Sequence, residues 1–183
     1  LERRRAAGKI RALEELLAAE PIAGQVGVGH TRWATHGAPS TRNAHPQLAG
    51  KVAVVHNGII ENFAELKREL MGEGRVFESD TDTEVIAHLI DRGVQGGMAP
   101  LAAFKTALDR LEGAYALAVL VQGEDTLVMG ARRGSPLVVG YGQGEMFLGS
   151  DALAVGPFTQ RIAYLEEGDY VAIDHDQALV FDS

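Results

Sequence analysis

The apolar residues of this 183-residue chain change their spacing near Ala114. Before that point, segments around Ile10, Phe63, Val85 and Leu101 carry apolar residues at intervals of three and four, which predicts amphipathic helices. After it, short apolar segments are separated by Gly, Asp or Pro, which predicts antiparallel strands. Helices in the first half and strands in the second favour an α+β fold, with helices packed on sheet faces.

Two further strands are predicted within the first half. Residues 26–31 and 52–56 are valine-rich, and each run is followed by polar residues that suit a loop. Thr81 and Glu84 have the spacing of a capping box, in which Thr81 would cap the third helix. Both predicted strands therefore end next to polar clusters, and the third helix begins next to another.

The charge balance excludes some classes of partner. Asp and Glu number 25 against 17 Lys and Arg, a net charge of −8, so we expect no binding to nucleic acid or to an anionic membrane surface. The one tight basic run, residues 3–5, is interpreted as a solvated helix face. No apolar run is long enough to span a membrane, and the first residues are charged, so we expect a soluble cytoplasmic protein. Because the sequence does not begin with Met, a fragment or a processed product is expected.

The chain contains no cysteine. Disulfides, thiolate metal sites and a cysteine nucleophile are therefore excluded within these residues.

Residues 30–37, HTRWATHG, form the first polar cluster. A loop needs only turn-forming residues, whereas this one contains a guanidinium, an indole, two hydroxyls and two imidazoles. Arg32 is suited to a bidentate grip on a carboxylate. The alternative is structural: Trp33 would belong to the core and Arg32 would pair with a nearby Asp.

The second cluster contains Asn57 and Gly58. Asn-Gly is a strong turn signal, and a simple turn is one reading of it. In the other reading, the Asn57 side-chain amide and the Gly58 backbone N–H stabilise a tetrahedral oxyanion.

The third cluster is Ser79-Asp80-Thr81-Asp82-Thr83-Glu84, in front of the third helix. Acidic and hydroxyl residues suit a helix N-terminus, but Asp82 exceeds what a cap needs and could accept hydrogen bonds from an ammonium group. A metal site at Asp80, Asp82 and Glu84 is a weaker alternative, because no loop glycine or spaced ligand series accompanies it. Arg for a carboxylate, Asp for an ammonium and Asn-Gly for an oxyanion together describe a site for an α-amino acid that undergoes acyl transfer.

These clusters resemble the glutaminase domain of the glucosamine-6-phosphate synthase family, a group of class II (type-2) glutamine amidotransferases. The similarity extends over the whole chain and is carried by HTRWATHG (30–37), NAHPQ (43–47), VVHNGIIEN (54–62), SDTDTEVIAHL (79–89), GSPLVVG (134–140) and LEEGD (165–169). The related purine-pathway amidotransferases share the fold and the Asn-Gly pair, but they resemble residues 30–37 and 79–89 less closely.

The resemblance implies an N-terminal-nucleophile hydrolase-like, four-layer αββα sandwich with antiparallel sheets, formed by residues 1–183 as a single domain. It also implies hydrolysis of L-glutamine to glutamate and ammonia without a cofactor or a metal. Arg32 would bind the α-carboxylate of glutamine and Asp82 its ammonium group, while Asn57 and Gly58 would form the oxyanion hole. The loop that closes over glutamine would carry the remaining three residues of the expected site: Trp33, Thr35 and His36.

The family's nucleophile is an N-terminal cysteine, which this sequence lacks. The first residues resemble a segment downstream of that cysteine, so we expect a domain truncated at its N-terminus and inactive by itself. The isomerase domain, which binds fructose 6-phosphate in the family, is also expected to be absent. The alternatives are a non-catalytic module that binds or senses glutamine and a structural relative that acts in assembly. A homodimer is left open.

Overall fold

The computed structural model describes residues 1–33 and 36–182. The helices in this part of the chain are α1 (Ile10–Ala19), α2 (Phe63–Gly72), α3 (Thr83–Gln95), α4 (Pro100–Leu108) and α5 (Ala152–Val155). The strands are β1 (Gln47–Ala49), β2 (Val52–Ile60), β3 (Gly113–Val121), β4 (Val128–Arg133), β5 (Val138–Tyr141), β6 (Met146–Gly149), β7 (Ile162–Tyr164), β8 (Tyr170–Ile173) and β9 (Ala178–Phe181).

Two antiparallel sheets form the centre of the molecule. The larger sheet has the strand order β1-β2-β3-β4-β8-β9, and the smaller has the order β6-β5-β7. β2 and β3 pair along their whole length, from Val52 opposite Val121 to Ile60 opposite Gly113. The predicted strand region after residue 113 is therefore confirmed, and β2 holds a central place in the larger sheet.

The sheets and helices stack in layers. One face of the larger sheet packs against α2, α3 and α4 through buried side chains such as Ile60, Leu66, Ile86, Phe104 and Leu117. The other face packs against the smaller sheet through Val139, Leu165 and Val171, among others. On the outer side of the smaller sheet lies α5, whose Val155 packs where Gly140 and Gly149 have no side chain. The layer order is helix, sheet, sheet, helix, which confirms the expected α+β sandwich.

The predicted first helix exists as α1, but none of its residues is buried. Its amphipathic pattern therefore predicted its conformation correctly, and its apolar residues Leu13, Leu16 and Leu17 are half-buried. The interpretation of residues 3–5 as a helix face is wrong, since α1 begins at Ile10. Instead, Arg3 donates to the Pro46 carbonyl at 3.3 Å and Arg5 to the Ala44 carbonyl at 3.0 Å.

Three local predictions are also wrong. Residues 26–31 are not a strand, because a strand needs a ladder partner and their backbone pairs with none of the described strands. The pair Asn57-Gly58 is not a turn, because β2 continues to Ile60 in register with β3. Thr81 does not cap α3, which begins at Thr83 with Asp82 in the N-cap position.

Glu84 instead binds the chain that leads into α3. Its carboxylate accepts hydrogen bonds from the backbone N–H groups of Glu78 at 2.7 Å and Ser79 at 2.6 Å, and from the Ser79 hydroxyl at 2.6 Å. Although burial raises the pKa of Glu84, the nearby His88 ring and hydrogen bonds from Ser79 and the backbone outweigh burial and lower it to about 2. The start of α3 is thus fixed by a buried, ionised carboxylate.

None of the described helices is both long and apolar enough to cross a membrane.

Candidate active site

Gly58 brings the backbone of β2 unusually close to β3. Its φ of 132° lies in a region that side-chain-bearing residues rarely adopt, and a Cβ at this position would lie 2.0 Å from the Ala114 carbonyl oxygen. The preceding Asn57 is exposed at this distorted part of the strand. Its carboxamide oxygen lies 2.8 Å from Nε2 of His30. The first and second polar clusters of the sequence therefore meet at Asn57.

Three histidines lie together behind Asn57, and we call His30, His45 and His56 the histidine cluster. The rings of His30 and His45 are 4.3 Å apart between centroids. The hydroxyl of Thr83 lies 2.9 Å from His45 Nε2 and 3.1 Å from His56 Nδ1. A hydroxyl can donate to one ring and accept from the other, so Thr83 joins two histidines to the start of α3.

The rings of this cluster are held in their neutral form. Burial, and to a smaller extent the neighbouring His30 and His56, lowers the pKa of His45 to about 2. Burial also lowers the pKa of His56 to about 4, although the charge of Asp82 opposes this shift. Sequence reasoning missed this cluster as a unit, because its members come from three segments without a common period.

Asp82 connects α3 to the end of β2. Only 3% of the residue is exposed, and its Oδ2 accepts a hydrogen bond from the Ile60 backbone N–H at 2.8 Å. The Nδ1 atoms of His36 and His56 lie 4.0 and 3.9 Å from the same oxygen. A buried carboxylate gains considerably from a cationic partner. The third polar cluster therefore meets both of the others at Asp82.

The alternative of a metal site at Asp80, Asp82 and Glu84 is wrong. Asp80 binds the Arg42 guanidinium at 2.9 Å, whereas Asp82 and Glu84 accept from different backbone groups. Across residues 1–33 and 36–182, no three His, Asp or Glu side chains form a group that could hold a metal ion.

Arg32 lies inside the loop that follows it. Its guanidinium donates to the carbonyl oxygens of His36, Gly37 and Ala38, the latter two at 3.4 Å. All of these acceptors are neutral carbonyls, so the structural alternative of an Arg32–Asp pair is not what the structure shows. The guanidinium charge thus remains available to an anion.

The other loop residues differ in exposure. Trp33 is 91% exposed, so the alternative that placed it in the core is wrong. His36 packs edge-on against Phe63 with the ring centroids 4.9 Å apart, which holds the end of the loop near Asp82. The third residue predicted on this loop, Thr35, lies outside the described residues.

A cavity of about 360 Å³ opens beside Asn57, between the two sheets. His30, His56 and Asn57 line it on one side, and apolar residues such as Leu137 and Ile173 line it on the other. Arg32 and Asp82 lie outside its lining. They are linked to that pocket through His36 and His56.

A guanidinium and a buried carboxylate lie on either side of His36. Arg32 donates to the His36 carbonyl, and Nδ1 of His36 is 4.0 Å from Oδ2 of Asp82. Neutral buried histidines behind them supply hydrogen bonds without adding charge.

Comparisons with known proteins agree with this geometry. A family model described as a glutamine amidotransferase domain matches residues 30–156. The chain is 73% identical over 183 residues to the glutamine–fructose-6-phosphate aminotransferase (isomerizing) of Caulobacter vibrioides. It is 56% identical over 182 residues to the protein of that name from Brucella suis. Each match covers all of this chain, which spans about 30% of the length of these curated relatives.

Solved structures show the same fold. Glutamine phosphoribosylpyrophosphate amidotransferase from B. subtilis, in complex with ADP and GMP, is 30% identical and superposes with a TM-score of 0.67. The match covers 84% of this chain and 34% of that one. The fold is that of the N-terminal-nucleophile hydrolases, as expected from the resemblance in sequence. This chain belongs to the glutamine amidotransferase domain family.

Proposed function

We propose that this chain is the glutaminase part of a glutamine–fructose-6-phosphate aminotransferase (isomerizing). The observation that carries the proposal is the 73% identity to the Caulobacter vibrioides protein along the whole chain. In this function the domain hydrolyses L-glutamine to glutamate and ammonia, and a sugar isomerase domain uses the ammonia to convert fructose 6-phosphate into glucosamine 6-phosphate. Residues 1–183 act as one cytoplasmic domain, without a cofactor.

Arg32 and Asp82 bind the two charged groups of glutamine. The guanidinium of Arg32 has only neutral carbonyl acceptors among the described residues, so it can form charge-assisted hydrogen bonds to the α-carboxylate. The buried carboxylate of Asp82 has one described backbone donor and two histidines nearby, and it gains a full charge partner in the α-ammonium. Trp33, Thr35 and His36 belong to the loop that closes over the bound amino acid.

Asn57 and Gly58 stabilise the oxyanion that forms when the side-chain amide of glutamine is attacked. The exposed carboxamide of Asn57 lies at the mouth of the cavity, and Gly58 supplies a backbone N–H unobstructed by a side chain. Donors of this kind act mainly on the transition state, because the negative charge develops only there.

The nucleophile is a cysteine thiol that these 183 residues do not supply, since they contain no cysteine. Loss of a covalent nucleophile and its base costs on the order of a millionfold in turnover in other hydrolases. We therefore expect the chain of 183 residues to show no glutaminase activity above background.

The function is tested by expressing the full-length protein and the 183-residue chain in parallel. The full-length protein should release ammonia from glutamine and form glucosamine 6-phosphate from fructose 6-phosphate. A glutamine-like diazoketone should add one label to it and leave the mass of the 183-residue chain unchanged. A full-length protein that binds glutamine but is neither labelled nor active would instead be a glutamine-sensing module.

A further inference from the structure

His30 makes the one side-chain hydrogen bond to the Asn57 carboxamide that the described part of the chain provides. Nε2 of His30 lies 2.8 Å from Oδ1 of Asn57, across 27 positions of sequence. The carboxamide oxygen can only accept, so the ring nitrogen donates. Because the carboxamide is planar, this bond also fixes the direction of the Nδ2 donor, which points away from the ring.

The chemistry of the ring supports that direction of donation. Nδ1 of His30 is buried and has no hydrogen-bond partner in the described structure. A buried N–H without a partner costs free energy, so the ring hydrogen is better placed on Nε2, where Asn57 accepts it. Burial lowers the pKa of His30, and its hydrogen bond to Asn57 opposes this shift only in part.

The ring of His30 is itself held in place. It is tilted by 33° against the ring of His45, whose Nε2 lies 2.9 Å from the Thr83 hydroxyl at the first residue of α3. Burial of His45 keeps this support neutral, so no charge repels the His30 ring. The carboxamide of the exposed Asn57 is thus connected to the rigid core of the domain through His30.

We propose that His30 is a positioning residue that holds the Asn57 carboxamide with its Nδ2 donor directed at the oxyanion. This role rests on the proposed function, because it requires Asn57 to act in the oxyanion hole. Without the His30 donor, the exposed carboxamide can rotate and present its oxygen to the developing negative charge. The effect belongs to turnover and not to glutamine binding, since that charge is absent from the ground state.

The test compares variants of the full-length protein by glutaminase kcat and KM. His30→Gln places an amide donor near the position of Nε2, whereas His30→Glu has nearly the same shape and only acceptors. His30→Phe keeps the ring that stacks on His45 but removes the donor. His175→Gln serves as the matched control, because His175 is exposed and lies in the turn between β8 and β9.

His30→Phe and His30→Glu should lower kcat by about tenfold or more with KM little changed, while His30→Gln stays within about threefold of the parent protein. Combined with Asn57→Ala, His30→Phe should lower kcat by less than about twofold further, because the group it positions is already gone. Should His30→Phe or His30→Glu fail to fold, the other one still supplies the donor-free comparison with His30→Gln. Should His30→Gln fail to fold, the double variant with Asn57→Ala still tests the positioning role.

The outcomes separate this inference from the proposed function. An unchanged kcat in Asn57→Ala would overturn the oxyanion assignment itself. If Asn57→Ala lowers kcat but His30→Gln is as slow as His30→Glu, only the positioning role of His30 is overturned. The same holds if the losses of kcat in the double variant are fully multiplicative. An effect confined to KM would likewise contradict it.

Discussion

The carboxylate of Asp82 accepts a hydrogen bond from the backbone N–H of Ile60 at 2.8 Å, which ties the start of α3 to the end of β2. The residue therefore has a structural partner as well as its proposed role in binding the ammonium of glutamine. Asn can still accept from the Ile60 N–H through its carbonyl oxygen, but it has no charge. The substitution Asp82→Asn thus separates the two roles.

Asp82→Asn should keep most of the stability and lose binding. We expect the free energy of unfolding to change by about 1 kcal/mol or less, because the hydrogen bond to Ile60 is retained. The KM for glutamine in the full-length protein should rise by about tenfold or more, since a charge-assisted contact to the ammonium is lost. Asp82→Ala should lose both. A normal KM in Asp82→Asn would remove Asp82 from the binding site.

Arg32→Lys should weaken the use of glutamine. Lysine keeps the charge but cannot reproduce the planar set of N–H donors that contacts the carbonyls of residues 36–38 and the carboxylate. Loss of such a contact costs about 2 to 3 kcal/mol, or roughly thirty- to a hundredfold in kcat/KM. Arg42→Lys, at an exposed pair with Asp80, is the matched control and should leave kcat/KM unchanged. An unaltered KM in Arg32→Lys contradicts the carboxylate role.

Gly58→Ala should unfold the region around the Asn57 side chain. The added Cβ would meet the Ala114 carbonyl at 2.0 Å, and the φ of 132° is strained for alanine. Gly74 also has a positive φ, 87°, but a Cβ there meets nothing within 4 Å. In urea unfolding, Gly58→Ala should therefore cost at least about 2 kcal/mol more than Gly74→Ala. Equal losses would show that β2 and β3 separate easily at this point.

The buried histidines should make the domain sensitive to mild acid. The pKa of His45 falls to about 2 on folding, whereas an unfolded histidine titrates near 6.5. Between these pH values the unfolded chain binds a proton at His45 that the folded chain excludes. The contribution of His45 to the free energy of unfolding is therefore fully present above pH 6.5 and is lost as the pH falls below it. One such histidine accounts for a loss of about 2 kcal/mol between pH 7 and pH 5.

Urea unfolding at the two pH values measures this loss. In His45→Gln, the difference in the free energy of unfolding between pH 7 and pH 5 should be smaller by about 2 kcal/mol, because the titrating group is gone. The exposed His175→Gln should leave the difference unchanged. Glu84 does not interfere in this range, because its folded pKa of about 2 lies below its ordinary value and its contribution is lost only below about pH 4.5. An unchanged difference in His45→Gln would show that His45 titrates normally.

Local patterns were enough to predict most of the elements of this fold. The helices α2 to α4 and the strands after residue 113 follow from apolar periodicity, since each segment has a side that must be buried. Residues 26–31 show the limit of that reasoning, because a strand also needs a partner, which no local pattern specifies. The turn signal of Asn57-Gly58 was likewise outweighed by nine consecutive pairings between β2 and β3.

The candidate site was predictable in its residue types but not in its contacts. Arg32, Asn57 and Asp82 stood out because their chemistry exceeds what a loop or a cap requires. Their connection through His36 and His56, and the support of Asn57 by His30, depend on tertiary packing between distant segments. Histidines at positions 30, 45 and 56 share no period, so the sequence offered no sign that they would lie in one cluster.

The most direct test of the proposed site is a crystal structure of the full-length protein with the proposed nucleophilic cysteine replaced by alanine and L-glutamine bound. We expect the α-carboxylate on the Arg32 guanidinium and the ammonium within about 3 Å of the Asp82 carboxylate. The side-chain carbonyl oxygen of glutamine should lie next to the Asn57 Nδ2 and Gly58 N–H groups. Glutamine bound with its carboxylate on another cation, or with its ammonium away from Asp82, would contradict the proposed roles of Arg32 and Asp82.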